Sequence, residues 1–215
     1  MQIGLCLLRT GQKIKWLVQC YAIAFFASSA HAASVNVLVL GDSLSAEHGL
    51  QRGSGWVALM QGRLIADKLD VGVVNASISG ETAFGGAKRL PQLLAKHRPA
   101  LVIIQLGVND GFRGLPVASI EANLMTMIQA TQKSGARVLL AGMRLPPKYD
   151  KDYAAAFAAL FPRVAQEHSV ALVPFILEGV AGKPELFQAD RLHPTAEAQT
   201  LILNNVWPHL KPLLK

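Results

Sequence analysis

The chain has only two cysteines in 215 residues, and both lie near its start, at Cys6 and Cys20. Beyond residue 20 the sequence therefore provides no disulfide, no thiolate nucleophile and no cysteine ligand for a metal. It also has no His-Glu-x-x-His motif, which presents two zinc ligands on one helix face. The Gly-x-Ser-x-Gly motif, which marks the nucleophile elbow of one class of serine hydrolase, is missing as well. These absences exclude cysteine-based catalysis and a disulfide-rich scaffold.

The sequence also has no cluster of basic residues and no internal repeat. Lysine and arginine number 21 against 14 acidic residues, a net charge of +7. Without the N-terminal Arg9, Lys13 and Lys15, 18 basic residues remain against 14 acidic ones, a net charge of +4. Because this positive charge is scattered, we predict no nucleic-acid partner. A chain of this length with no repeat, low-complexity tract or long linker fits one domain.

The first 32 residues have the pattern of a cleaved secretory signal peptide. The three basic residues named above precede the mostly apolar run Trp16–Ala27, and Ala30 and Ala32 form a small-x-small cleavage pattern. The apolar run is too short and too polar to make a good membrane span. We therefore predict cleavage after Ala32, or alternatively after Ala33, with no stable membrane insertion afterwards. A single domain over residues 33–215 is then expected in a bacterial periplasm or secreted.

Apolar runs and helical periodicity alternate along the rest of the chain. Unbroken apolar runs are typical of strands buried on both faces, so five strand–helix alternations predict an α/β fold. The expected architecture is three-layer α/β/α, with a five-stranded parallel sheet. The last helix is predicted to begin at Pro194, since proline suits a first helical turn. The predicted strands are Val37–Leu40, Val71–Asn75, Leu101–Leu106, Val138–Ala141 and Ala171–Pro174.

The first predicted strand runs into the segment Gly41-Asp42-Ser43-Leu44-Ser45. Glycine takes backbone angles that other residues avoid, so Gly41 is predicted to turn the chain sharply. Ser43 then lies just beyond the carboxyl end of a buried strand, where open α/β sheets place their chemistry. On its own, such a segment fits an ordinary turn with a capping serine equally well.

Three more polar clusters follow: Ser79-Gly80-Glu81, Gly107-x-Asn109-Asp110 and Asp190-x-x-His193-Pro194. Because all strands of a parallel sheet point the same way, the clusters after the first three strands are expected at one edge. Together the four clusters contain a serine, a histidine base, a carboxylate and several donors for an oxyanion. Each cluster alone has a plainer interpretation as a turn glycine, a turn asparagine, a surface histidine or a solvated carboxylate.

A metal site built from Asp42, Asp190 and His193 is conceivable, but no recognised ligand spacing supports it. We therefore predict no metal and no cofactor. The other histidines beyond the N-terminal segment have no partner pattern and are predicted to be surface or structural residues: His48, His97, His168 and His209.

In this order the clusters resemble the conserved blocks of the GDSL or SGNH hydrolases. Within that family the chain is most similar to small periplasmic bacterial thioesterases, lysophospholipases and arylesterases. One such block is common by chance, whereas all of them in order are specific. The resemblance covers about residues 34–214, departs from the pattern at Val108, where glycine is common, and implies a flavodoxin-like fold. The blocks are Gly41–Ser45, Val74–Thr82, Leu106–Gly111, Arg144–Pro146 and Asp190–Pro194.

By position, the resemblance implies that Ser43 is the nucleophile, His193 the general base and then acid, and Asp190 the carboxylate that orients it. It also implies an oxyanion hole formed by the backbone N–H groups of Ser43 and Gly80 and the side-chain amide of Asn109. The chemistry agrees, because serine is a poor nucleophile until an adjacent imidazole takes its proton. A carboxylate fixes the imidazole tautomer and stabilises the cation that forms.

Apolar residues after the third and fourth predicted strands are expected to border the cleft. An acyl chain or an aromatic ester would pack against them, although ordinary loop packing explains any single one equally well. The residues predicted to bind substrate are Phe112, Leu115, Arg144, Leu145 and Pro146.

These features predict an exported serine esterase or thioesterase that forms an acyl-enzyme on Ser43. The expected substrates are small molecules, namely aryl esters, acyl thioesters or lysophospholipids, and a monomer is the default expectation. Fold alone never determines substrate. Two alternatives on the same scaffold are an exported carbohydrate deacetylase and a non-catalytic acyl- or lipid-binding protein.

Overall fold

Five strands and six α-helices alternate through residues 35–215, the part of the chain that the computed structural model describes. The signal peptide predicted at residues 1–32 lies outside the described residues. The strands are β1 (Val35–Gly41), β2 (Val71–Asn75), β3 (Leu101–Gln105), β4 (Arg137–Ala141) and β5 (Ala171–Val173). The helices are α1 (Trp56–Ala66), α2 (Ala83–His97), α3 (Val108–Phe112), α4 (Val117–Lys133), α5 (Lys151–Glu167) and α6 (Gln199–Leu210).

The strands form one all-parallel sheet in the order β2-β1-β3-β4-β5. The predicted five-stranded parallel sheet is therefore confirmed. Residues Val37–Leu40 of β1 and Leu101–Gln105 of β3 are fully buried, as expected for central strands covered on both faces. In this order the direction of the connections reverses at β1, and doubly wound sheets bind ligands in the crevice at such a switch point. The crevice beyond the ends of β1 and β3 is thus the expected site.

Helices cover both faces of the sheet. The β1–β2 connection runs along the sheet in the opposite direction to the later ones, so right-handed crossovers place α1 on one face and α2, α4 and α5 on the other. Consistently, α1 packs against α6, while α2 packs against α4 and α4 against α5. Within residues 35–215, no helix combines the length and the apolar character needed to cross a membrane.

The last helix begins at Gln199, so the start predicted at Pro194 is wrong. Pro194 instead forms an antiparallel bridge with Phe187. Next to that bridge, the backbone N–H of Gln188 donates to the carbonyl of His193 at 2.8 Å. This pairing keeps Pro194 extended and overrides the preference of proline for a first helical turn. The same pairing holds the backbone of His193.

The residue Gly41 is required for a reason other than the predicted one. Its φ lies outside the left-handed region, so no unusual backbone angle is involved. A Cβ at this position would lie 2.7 Å from Ser45 Oγ and 2.8 Å from Gln105 Oε1. Gly41 therefore leaves room for the side chains of Ser45 and Gln105, which a Cβ at this position would displace.

Candidate active site

The side chains of Ser43, His193 and Asp190 form one continuous hydrogen-bonded chain. Ser43 Oγ lies 2.9 Å from His193 Nε2, and His193 Nδ1 lies 2.7 Å from Asp190 Oδ2. A carboxylate accepts only, so Nδ1 carries the hydrogen in this pair, and Nε2 is left with a lone pair that accepts the Ser43 hydroxyl. The structure thus brings together the three residues of the predicted triad from opposite ends of the described chain.

The segment from Asp190 to His193 forms a turn that the Asp190 side chain closes. Asp190 Oδ1 accepts the backbone N–H groups of Leu192 at 2.9 Å and His193 at 3.0 Å, which leaves Oδ2 for the imidazole. Arg191 between them has φ +56°, in the left-handed region. The backbone hydrogen bond from His193, followed by the one from its side chain, holds the pKa of the Asp190 carboxyl well below its usual range. Asp190 is therefore ionised throughout the neutral pH range.

A buried polar network supports the turn that carries Ser43. Asp42 Oδ1 accepts the backbone N–H of Leu44 and the side-chain amide of Gln105, each at 3.0 Å. Ser45 Oγ donates to Gln105 Oε1 at 2.6 Å. Asp42, Ser45 and Gln105 are all buried, so each hydrogen bond is protected from water and expensive to lose. Sequence analysis missed Gln105, although one amide inside an otherwise apolar strand was a signal for it.

Asn109 reaches the site from α3, a helix of five residues that the sequence did not predict. So short a helix shows no periodicity, and it begins after Gly107, whose φ of +108° favours glycine. The side-chain amide of Asn109 donates to the carbonyl of Glu81 at 3.0 Å and lies 3.4 Å from Asp42 Oδ2. Asn109 thus bridges the turn after β1 and the loop after β2.

The predicted oxyanion residue Gly80 lies in the exposed loop between β2 and α2. Its φ is +79°, a conformation that favours glycine. Beside it, the carboxylate of Glu81 accepts Arg89 Nε at 2.7 Å in a half-buried ion pair. The start of α2 is held by Asp110, whose Oδ2 accepts the backbone N–H of Ala83 at 2.9 Å. Burial raises the pKa of the Asp110 carboxyl.

A cavity of about 590 Å³ opens beside Ser43 and His193. This volume suits a small organic ligand. Four of the five residues predicted to bind substrate line it, at Phe112, Arg144, Leu145 and Pro146.

The fifth of these residues, Leu115, does not line this cavity. Gly114, with φ +67°, turns the chain just before it. The carbonyl of Leu115 then accepts the Tyr153 hydroxyl at 2.6 Å, while its side chain is partly exposed to solvent. Leu115 follows β3 at the edge of the sheet where the cavity opens, but this position in the sequence did not suffice to place its side chain in the cavity.

One wall of the cavity comes from the segment after β5, which sequence analysis overlooked. Its apolar side chains contribute to the lining. The guanidinium of Arg144 lies 4.6 Å from the centre of the Phe175 ring. The signal was available, since the segment leaves the sheet at the same edge as the other clusters. The large apolar lining residues from this segment are Phe175, Leu177 and Phe187.

The residue His48 was predicted to be a surface or structural histidine, and the structure places it at the site. Its ring packs on His193 with 4.1 Å between ring centroids and 34° between the planes. His48 Nδ1 lies 3.5 Å from Ser79 Oγ, and the side chain is exposed. His48 belongs to the same turn as Ser43, five residues later, but no sequence spacing indicated a contact with His193.

The carboxyl of Asp42 makes the stability of the protein depend on pH. Burial raises the pKa of Asp42 from 3.8 to about 6, against the hydrogen bonds from Leu44 and Gln105. The folded protein then holds this proton more tightly than the unfolded chain between those pH values. The free energy of unfolding therefore falls as pH rises from about 4 to about 6, by about 3 kcal/mol for this group.

The test is Asp42→Asn, which keeps an oxygen for the Leu44 N–H but does not titrate. We expect the free energy of unfolding of the wild type, minus that of the variant, to decrease from pH 4 to pH 6.5 in urea titrations. Asp70→Asn, at an exposed aspartate, controls for the change of residue type. Parallel pH curves for the wild type and Asp42→Asn would contradict the assignment.

Residues 39–201 match the GDSL-like lipase/acylhydrolase family. Since the match spans most of the chain, the protein belongs to this family, and the resemblance stated from the sequence blocks is confirmed.

Three relatives with ester-hydrolase names support the same class. Esterase TesA of Pseudomonas aeruginosa is 52% identical over 183 residues, 85% of this chain and 91% of its own length. The arylesterase of Vibrio mimicus is 46% identical over 178 residues, 83% and 89% of the two chains. The thioesterase 1/protease 1/lysophospholipase L1 of Escherichia coli K12 is 40% identical over 183 residues, 85% and 86% of the two chains. The chain is accordingly an acyl ester hydrolase.

Solved structures agree with the fold. The crystal structure of TesA matches with a TM-score of 0.81 at 52% identity, covering 83% of this chain and 99% of that one. The psychrotrophic esterase EstA from Pseudoalteromonas sp., in a structure inhibited by monoethylphosphonate, matches with a TM-score of 0.79 at 39% identity, covering 83% and 98%. The predicted fold class is confirmed.

Proposed function

We propose that this acyl ester hydrolase is an exported serine esterase or thioesterase that works through an acyl-enzyme on Ser43. The observation that carries the proposal is the continuous hydrogen-bonded chain from Ser43 through His193 to Asp190, at the wall of an apolar cavity. Each of the three groups has the partner that its chemical role requires.

In the acylation step Ser43 Oγ attacks the acyl carbonyl carbon while its proton passes to His193 Nε2. The 2.9 Å distance between these atoms is within reach of direct proton transfer. The imidazolium that forms donates from Nδ1 to the ionised Asp190, which stabilises the cation and keeps the ring oriented. His193 then gives its Nε2 proton to the departing alcohol or thiol as the tetrahedral intermediate collapses.

The negative charge that develops on the carbonyl oxygen needs donors near Ser43. We assign this role to the side-chain amide of Asn109, which donates to the carbonyl of Glu81, and to the backbone N–H groups of Ser43 and Gly80. Such donors act most strongly where they are already oriented before the reaction, because no energy is then spent on turning them. The hydrogen bonds of α3 to the loop before α2 provide that orientation.

In the deacylation step a water molecule takes the place of the leaving group. His193 Nε2 accepts a proton from this water, whose oxygen attacks the acyl carbon of the Ser43 ester. Collapse of the second tetrahedral intermediate returns the proton to Ser43 Oγ and releases the carboxylic acid. The proton transfers of this cycle involve only the triad, the substrate and water.

The cavity lining favours acyl or aryl groups as the part of the substrate that is bound. Apolar side chains from three segments surround it, and Arg144 over the ring of Phe175 adds a cation at its edge. We include aryl esters, acyl thioesters and lysophospholipids in the substrate class, in line with the names of the relatives. The mostly apolar lining favours this class over a glycan substrate, and the complete triad favours catalysis over mere ligand binding.

Export is proposed from the N-terminal pattern. The basic residues, the apolar run and the Ala30-x-Ala32 pattern are those of a cleaved signal peptide, so the mature chain would begin at residue 33. A periplasmic or secreted location, one domain over residues 33–215 and a monomeric state complete the proposal.

The experiment that tests this function is labelling of the purified protein with a fluorophosphonate, followed by peptide mass mapping. An activated serine forms a stable phosphonyl ester, whereas ordinary serines do not react. We expect one adduct per chain, on the peptide that contains Ser43, and none on a denatured sample. A folded protein that acquires no adduct would overturn the assignment of Ser43 and favour the binding-protein alternative. An adduct on another serine would overturn the assignment of Ser43 and indicate a different nucleophile.

A further inference from the structure

A second imidazole lies against the proposed general base. One ligand atom from each of His48, Asp190 and His193 lies within 4.8 Å of the others. The mechanism proposed above gives His48 no task. An exposed histidine stacked on the ring of His193 therefore calls for its own explanation.

The two segments that carry these histidines are joined by one side chain. The amide of Gln188 donates to the backbone carbonyl of His48 at 2.9 Å and to that of Pro194 at 3.0 Å. The backbone of His48 is thus fixed relative to the backbone next to His193, while the ring of His48 has no hydrogen bond shorter than 3.5 Å. The two segments are thus joined through their backbones, while the His48 side chain can still rotate.

Two imidazoles and one carboxylate are a preferred ligand set for Zn²⁺. Zinc bonds of about 2.0–2.2 Å in a tetrahedral shell put neighbouring ligand atoms ~3.4 Å apart. The three ligand atoms lie within 4.8 Å of one another, so they need to approach by at most about 1.4 Å. Rotation of the exposed His48 side chain, whose only hydrogen-bond contact among the described residues is 3.5 Å long, can close that difference while Asp190 keeps its turn. Water would complete the fourth position.

We propose that the chain binds one Zn²⁺ ion through His48, His193 and Asp190, and that the bound ion reversibly inhibits hydrolysis. The ion is an inhibitor here and takes no part in the reaction. Coordination involves no redox change, because each ligand donates a lone pair and any displaced proton passes to solvent.

Inhibition follows whichever ring nitrogen of His193 binds the ion. At Nε2 the ion occupies the lone pair that faces Ser43 Oγ, and at Nδ1 it replaces the hydrogen bond to Asp190. Either change removes general-base catalysis. This consequence depends on the proposed function of His193, whereas the binding of zinc does not.

The first test is a Zn²⁺ titration of nitrophenyl ester hydrolysis, with protein that has no polyhistidine tag and a buffer that does not chelate. We expect a saturable loss of rate that EDTA reverses, and no such loss with Mg²⁺, which prefers oxygen ligands. His48→Phe keeps an aromatic ring on His193 but removes a ligand. Relative to its own zinc-free rate, it should need at least ~10-fold more Zn²⁺ for half-inhibition. His97→Phe, at a half-buried histidine in α2, should behave like the wild type.

The second test measures binding without activity, by calorimetry with Zn²⁺ on the Ser43→Ala protein. We expect one ion per chain and at least ~10-fold weaker binding when His48→Phe is added. Absence of zinc binding, or equal binding with and without His48, would overturn the inference whatever the catalytic role of His193. Zinc binding that depends on His48 but leaves the wild-type rate unchanged would uphold the site, overturn the inhibition and contradict the proposed role of His193.

Discussion

Ser43→Ala is expected to lower kcat for a nitrophenyl acyl ester by a factor of ~10⁴–10⁶. In the proposed mechanism the variant loses the atom that forms the acyl-enzyme, so water would have to attack the ester directly, without an activated nucleophile. The fold should remain, because Ser43 contributes no side-chain hydrogen bond to the buried network formed by Asp42, Ser45 and Gln105. The measurement is kcat and KM by absorbance, with Tm by circular dichroism.

Ser119→Ala serves as the matched control for this experiment, since Ser119 is an exposed serine in α4. It should keep the wild-type rate and Tm. Turnover by Ser43→Ala within a factor of ~10 of the wild type would be far above what a missing nucleophile allows. The acyl-enzyme proposal would then be withdrawn.

Asn109→Ala is expected to lower kcat by a factor of ~100–1000 and to change KM much less. In the proposed mechanism the lost amide stabilises charge that exists only in the transition state and the tetrahedral intermediate, so the binding of neutral substrate hardly depends on it. Asn109 also donates to Glu81, and its loss will loosen the contact between α3 and the loop before α2. Measurement of Tm separates that structural effect from the effect on rate.

Asn123→Ala is the matched control, because Asn123 also donates its amide to a backbone carbonyl, at 2.9 Å, but lies on the exposed side of α4. It should leave kcat unchanged. A wild-type kcat for Asn109→Ala would remove Asn109 from the oxyanion hole. A fall in kcat that tracks a large fall in Tm would assign it a structural role instead.

The two halves of the site are built in different ways. Ser43 and Asn109 lie at the switch point of the sheet, next to buried hydrogen bonds. The side chains of Asp42 and Gln105, which form one of these bonds, are inaccessible to water. Asp190, in contrast, is held in a surface turn that it closes itself. Substitutions in the buried network of Asp42, Ser45 and Gln105 should therefore reduce stability as well as rate, because they leave buried polar groups unpaired. Those in the surface turn should affect mainly the rate.

Much of this architecture was predictable from local sequence. The apolar runs of β1 and β3 and the polar clusters after them determine a parallel sheet with its chemistry at one edge, because strand direction and hydrophobic burial follow from the residues themselves. Ser43 and Asn109 were selected by the same argument, whereas His193 was assigned through the resemblance to the family. The chain order of the blocks was sufficient to indicate the family.

Only the tertiary structure decided the contacts between segments distant in sequence. The start of α6 at Gln199 depends on the pairing of Pro194 with Phe187, and the exclusion of Leu115 from the cavity depends on a turn and one tyrosine hydrogen bond. The contact of His48 with His193 arises because Gln188 ties two loops together. Periodicity and turn preferences describe neighbours along the chain. Such contacts are instead selected by packing and hydrogen bonding between surfaces that meet only after the sheet has formed.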